Sequence, residues 1–66
     1  MKKVTLHARP GACLRTKNRL REHGSVFTQT RGPQTCLFDR GNRLWIFLIA
    51  PDGWEGWLPV DELDIS

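Results

Sequence analysis

The side chains best suited to gripping something here are three tryptophans, Trp45, Trp54 and Trp57, and a basic set at alternate positions, Arg15, Lys17, Arg19 and Arg21. Trp54 directly follows Pro51-Asp52-Gly53. An indole at the edge of a turn is hard to bury in a short chain, and exposed aromatics anchor binding sites. Trp54 is therefore expected to be a contact residue, with packing across a hairpin onto a neighbour such as Phe47 as the alternative. Trp45 is read as a second contact and Trp57 as filling for the core. On an extended segment, residues 15, 17, 19 and 21 point to one side. Such a row suits phosphates or an acidic protein surface.

Covalent and acid–base chemistry finds no comparable set. His7 and His23 stand alone, and the chain has no nucleophile elbow, phosphate-binding loop, dinucleotide fingerprint or zinc-protease helix motif. Cys13 and Cys36, with the two histidines, lack the paired spacing of a zinc site and read as two reduced thiols, with a single disulfide in an oxidising compartment as the alternative. The expectation is a protein that binds rather than catalyses, with no cofactor, no metal and no small-molecule substrate.

A chain of 66 residues makes one domain, 1–66, with little material left over once a core is built. Its charge is unevenly spread. Residues 1–43 hold all ten lysines and arginines and two of the seven acids, and residues 44–66 hold the remaining acids. The acids Asp61, Glu62 and Asp64 read as a solvated rim that also suits a basic partner. No stretch approaches the roughly 20 apolar residues of a membrane span. The N-terminus lacks the apolar core of a secretion signal, so a cytoplasmic protein is expected, not inserted in a membrane.

The elements that must position these residues are short strands. Residues 2–7 alternate, with Val4 and Leu6 on one face. The basic segment 12–24 shows no apolar helical stripe and is read as a long loop; a short helix over Lys17–Glu22, capped by Gly24, is the alternative. β-Branched and aromatic residues predict a strand over 25–31, a turn at Gly32-Pro33 and a short strand over Thr35–Phe38. Asp39 to Asn42 has turn chemistry. Arg43–Ala50 is the strongest strand, with Leu44, Ile46 and Leu48 facing one side and Trp45, Phe47 and Ile49 the other. A hairpin turn leads to a partner strand over Trp54–Pro59, then a 3₁₀ turn over Val60–Leu63 and a last short strand at Asp64-Ile65. Several short strands with close turns predict an all-β barrel.

The order Trp45, Asp52-Gly53, Gly56-Trp57-Leu58-Pro59 and Leu63 resembles the second half of SH3-like domains, especially the bacterial type. More weakly, Leu6 to Gly11 and Glu22 to Val26 resemble that type's first half. The resemblance implies a small five-stranded SH3-like barrel with a 3₁₀ turn before the last strand. It also implies a ligand shelf that includes Trp45 and Pro59. The chain has no tyrosine, and Glu62 stands where the family's 3₁₀-turn tyrosine would be. The expected site is thus Trp45, Trp54, Pro59 and Glu62 beside Arg15, Lys17, Arg19 and Arg21. The expected partner is a larger protein, with the chain as an accessory subunit or regulator; the alternative is a nucleic acid.

Overall fold

A computed structural model describes all residues, 1–66. Alternating residues at the start form β1, Lys2–Ala8, with Val4 and Leu6 turned inward and each only 1% exposed. It is followed by α1 (Leu14–His23), β2 (Val26–Gln34), β3 (Trp45–Ile49), β4 (Glu55–Pro59), a 3₁₀ turn (Val60–Glu62) and β5 (Leu63–Ile65). All strand pairs are antiparallel, in the order β4-β3-β2-β1-β5. The first half of β1 pairs with β2 and its second half, Leu6–Ala8, with β5. One strand thus belongs to two ladders, and the sheet folds around a single core of Val4, Leu6, Phe27, Ile46, Leu48, Ala50, Leu58 and Leu63. The chain is mostly β, a five-stranded antiparallel sheet with a 3₁₀ turn before its last strand. No helix is long and apolar enough to cross a membrane.

Three expectations need correction. The segment 12–24 is not a long loop, because residues 14–23 form α1. Its inward stripe is Thr16, Arg19, Leu20 and His23, at helical spacing, and only Leu20 of these is apolar. A search for hydrophobic periodicity passes over such a helix. Its ends are fixed by tertiary contacts described below, together with Gly24, which takes a positive φ of 85° and donates to the Leu20 carbonyl. Second, Gly32-Pro33 does not end β2, which runs on to Gln34 with register shifts against β3. Gly32 has a positive φ of 89°, and the Trp45 carbonyl occupies the space a side chain would need. Third, Thr35–Phe38 is not a strand; it lies in the connection from β2 to β3 with Leu37 and Phe38 exposed.

The strongest strand behaves largely as its pattern predicts. Ile46 and Leu48 are fully buried, while Trp45, Phe47 and Ile49 lie half-buried on the outer face. Leu44 falls outside β3 and is 49% exposed. On β4, Leu58 enters the core and Trp57 packs on the outer face, edge to Phe47 with ring centres 5.1 Å apart. The turn between them is closed by Gly53, whose φ is +97° and whose N–H donates to the Ala50 carbonyl at 3.0 Å.

Candidate functional site

Register places Trp45 opposite Pro59 at the open end of the β3–β4 hairpin. The 3₁₀ turn follows Pro59 at once and carries Asp61 and Glu62 back toward the start of α1. Between these elements lies a cleft of about 130 Å³. Trp45, Trp57, Leu58 and Pro59 form its apolar lining, and Cys13, Arg15, Thr16, Arg43 and Glu62 complete it. Pro59 is buried, so it forms the floor rather than a raised shelf.

Glu62 holds one wall in place. Cys13, the N-cap of α1, makes no side-chain cap of its own. The Glu62 carboxylate substitutes for it from 49 residues away: Oε1 accepts the Cys13 backbone N–H at 3.1 Å and the Thr16 hydroxyl at 2.7 Å. Its second oxygen, Oε2, accepts from Arg43 Nη2 at 2.7 Å. Burial pushes this carboxyl up, but hydrogen bonds from Thr16, Arg43 and Cys13 outweigh it and hold the pKa at about 2. Both oxygens are therefore committed within the chain.

Arg43 and Asp39 fix Trp45 in the same way. Arg43 donates to both oxygens of Asp61, from Nε at 3.2 Å and Nη2 at 2.7 Å, and its guanidinium lies over the Trp45 ring, 5.3 Å from the centre. Trp45 Nε1 donates to Asp39 Oδ2 at 2.8 Å, and Phe38 meets the indole edge-on at 5.0 Å. Asp39 also accepts the backbone N–H groups of Gly41 and Arg43. The hydrogen bond from Trp45, then that from Gly41, lowers the Asp39 carboxyl below its ordinary value. The indole is thus oriented before any ligand arrives, which reduces the ordering cost of binding.

Of the expected contact residues, Trp45, Pro59, Glu62 and Arg15 come together in this cleft. Trp54, Lys17, Arg19 and Arg21 do not. Residues 15, 17, 19 and 21 share no face, because on a helix alternate positions point about 200° apart. Lys17 and Arg21 are exposed, and Arg19 turns inward over the Trp54 ring at 5.5 Å while pairing with Glu22. Trp54 sits at the turn end of the hairpin, packed on the core. It stacks on His23 with ring centres 4.9 Å apart, and Phe27 meets it edge-on at 6.3 Å. Its partners are thus on α1 and β2 rather than Phe47. His23 Nδ1 donates to Asp52 Oδ2 at 2.6 Å, and Asp52 Oδ1 accepts the Trp54 backbone N–H. The bond from His23, then that from Trp54, lowers the Asp52 carboxyl.

Sequence reasoning did not single out Asp39, Arg43, Thr16 or Cys13 as parts of the site. Asp39 had a local signal, since an aspartate two residues before a glycine favours a side-chain-closed turn. The other three act through Glu62 and Asp61, which are far away in the chain. Cys13 is exposed, Cys36 is part-buried, and both are free thiols. Comparisons with protein-family models, with curated proteins and with solved structures find no match.

Proposed function

We propose that this chain is a non-catalytic protein-interaction module of the SH3-like kind, acting as an accessory subunit or regulator, and that the cleft at Trp45 receives a segment of a larger protein. The observation that carries this reading is the preset indole. Trp45 is held by Asp39, Arg43 and Phe38 while it lines an open apolar cleft with Trp57 and Pro59. Oriented aromatics in a partly desolvated cleft are the usual energetic centre of a protein interface. The strand order, the Asp-Gly hairpin turn and the 3₁₀ turn before the last strand support the SH3-like assignment. A protein rather than a nucleic acid is favoured by Asp39, which accepts from the indole N–H, and by Asp61 and Glu62, which hold the Arg43 guanidinium over the ring; these carboxylates oppose a run of phosphates.

The test is affinity capture from lysate of the source organism, with nuclease added, using the native chain and Trp45→Ala in parallel. The expected result is a protein retained by the native chain and lost with the variant. Retention by both would remove the cleft from the reading. Recovery that disappears with nuclease would move the function to nucleic-acid binding.

A further inference from the structure

Most of the acidic side chains in this protein are already occupied. Glu22, Asp61, Glu62 and Asp64 sit in ion pairs with Arg19, Arg43 or Arg9, Asp52 accepts hydrogen bonds from His23 and the Trp54 N–H, and Asp39 is taken up by Trp45 and two backbone donors. Only Glu55 has neither an ion pair nor a side-chain hydrogen bond. The cations are in the opposite condition: Lys2, Lys3, Arg15, Lys17, Arg21, Arg31 and Arg40 form no ion pair. The carboxylates keep their charge when hydrogen-bonded, but most of the charged groups left without an ion pair are cations.

The same imbalance reaches the cleft. Three charged side chains line it, Arg15, Arg43 and Glu62. Arg43 and Glu62 answer each other at 2.7 Å, and Glu62 also answers the positive end of α1. Arg15 is left exposed and unpaired at the rim. Beside it lies the apolar lining of Trp45, Trp57, Leu58 and Pro59.

We infer that the segment this cleft accepts is an extended peptide in which a single aspartate or glutamate next to an apolar side chain pairs with Arg15 while that side chain enters between Trp45 and Pro59. The inference rests on the reading of the cleft as a protein-binding site. A cleft of about 130 Å³ holds a side chain or two rather than a folded element. One carboxylate at Arg15 satisfies the free guanidinium without bringing further negative charge past Asp39 and Asp61. A nucleic-acid strand would bring a phosphate with every nucleotide.

The experiment is selection of short random peptides on the immobilised intact chain, with oligothymidylate as a second probe. Enriched peptides should carry aspartate or glutamate within two residues of leucine, valine, proline or phenylalanine. The best of them, resynthesised, should lose binding to Trp45→Ala and bind Arg15→Ala roughly three- to tenfold more weakly. Arg15→Glu should select peptides bearing lysine or arginine instead. Arg15 is exposed, so these two variants keep the fold and the test stays sharp if Trp45→Ala proves unstable. Enriched peptides that lack acids yet depend on Trp45 would overturn the acidic preference and leave the cleft reading standing. Peptides indifferent to both Trp45 and Arg15 would remove the cleft and the preference together. No enrichment, or Trp45-dependent binding of oligothymidylate alone, overturns the inference as well.

Discussion

Trp45 and Trp54 stand at opposite ends of one hairpin, about 16 Å apart along strands that rise roughly 3.3 Å per residue. Both are half-buried, and each lies under an arginine. Their surroundings differ because α1 meets the two ends in different ways. The C-terminal turn of the helix lies on Trp54, where His23 stacks on the ring and bonds Asp52 at the hairpin tip. The N-terminal turn stops beside the open end of the hairpin. There it is tied to Glu62 rather than to the indole, and a cleft remains. Gly56 shows how closely the first end is packed: a Cβ there would lie 2.7 Å from the Trp54 ring. One helix thus packs one tryptophan against the core and leaves the other beside open space.

The sharpest way to break this comparison is to truncate both rings. Trp54→Ala removes a ring packed against the core, α1 and Phe27, and should cost about 3 kcal/mol in urea unfolding. Trp45→Ala should cost about 1 kcal/mol and abolish ligand binding. Equal losses of stability would mean that the two ends do the same work.

The next effect concerns the cap at the open end. Glu62→Ala leaves the Cys13 N–H, the Thr16 hydroxyl and part of Arg43 without their acceptor, and should cost about 2 kcal/mol. The pH dependence has a definite sign. The carboxyl lies at about 2 in the folded chain, against an ordinary 4.5. Its contribution is therefore complete above about pH 4.5 and is lost as pH falls through about 2. Acid titration of stability, followed by circular dichroism, should show this loss in the native chain and a shallower one in Glu62→Gln.

A smaller effect is expected at the other end of α1. His23→Ala removes the stack on Trp54 and the bond to Asp52, and should cost about 1 kcal/mol. Hydrogen exchange should then accelerate in the last turn of α1 and in the hairpin tip, with little change near Glu62. Uniform acceleration along the helix would mean that its two anchors are not separate. Least of all, Arg15→Ala should stay within about 0.5 kcal/mol of the native chain while weakening the ligand. A larger loss of stability would show that Arg15 holds the cleft wall rather than serving it.

Much of the architecture is legible in the chain. Alternation at Val4 and Leu6, the two-faced run from Trp45 to Ile49, and turn chemistry at Asp52-Gly53 each fix a strand or a turn locally. Period-2 patterning and positive-φ glycines are properties of neighbouring residues. The helix was not legible in that way. Its inward stripe is mostly polar, and its stability comes from Glu62 at one end and from Asp52 and Trp54 at the other. Of the residues expected at a site, Trp45, Pro59, Glu62 and Arg15 line one cleft, while the row of four cations dissolved once residues 14–23 coiled.

The sequence by itself determined the strands that carry Val4 and Leu6 and the run from Trp45 to Ile49, and the hairpin turn at Asp52-Gly53, because their patterns are local. Only the tertiary structure decided which tryptophan is covered and which charges remain free. Ion pairs and ring stacks join residues tens of positions apart, and their partners are chosen by how the sheet folds around its core. Asp61 and Glu62, which read as part of a solvated acidic rim, instead clamp Arg43 and cap α1, and Arg15 beside them is left without a partner.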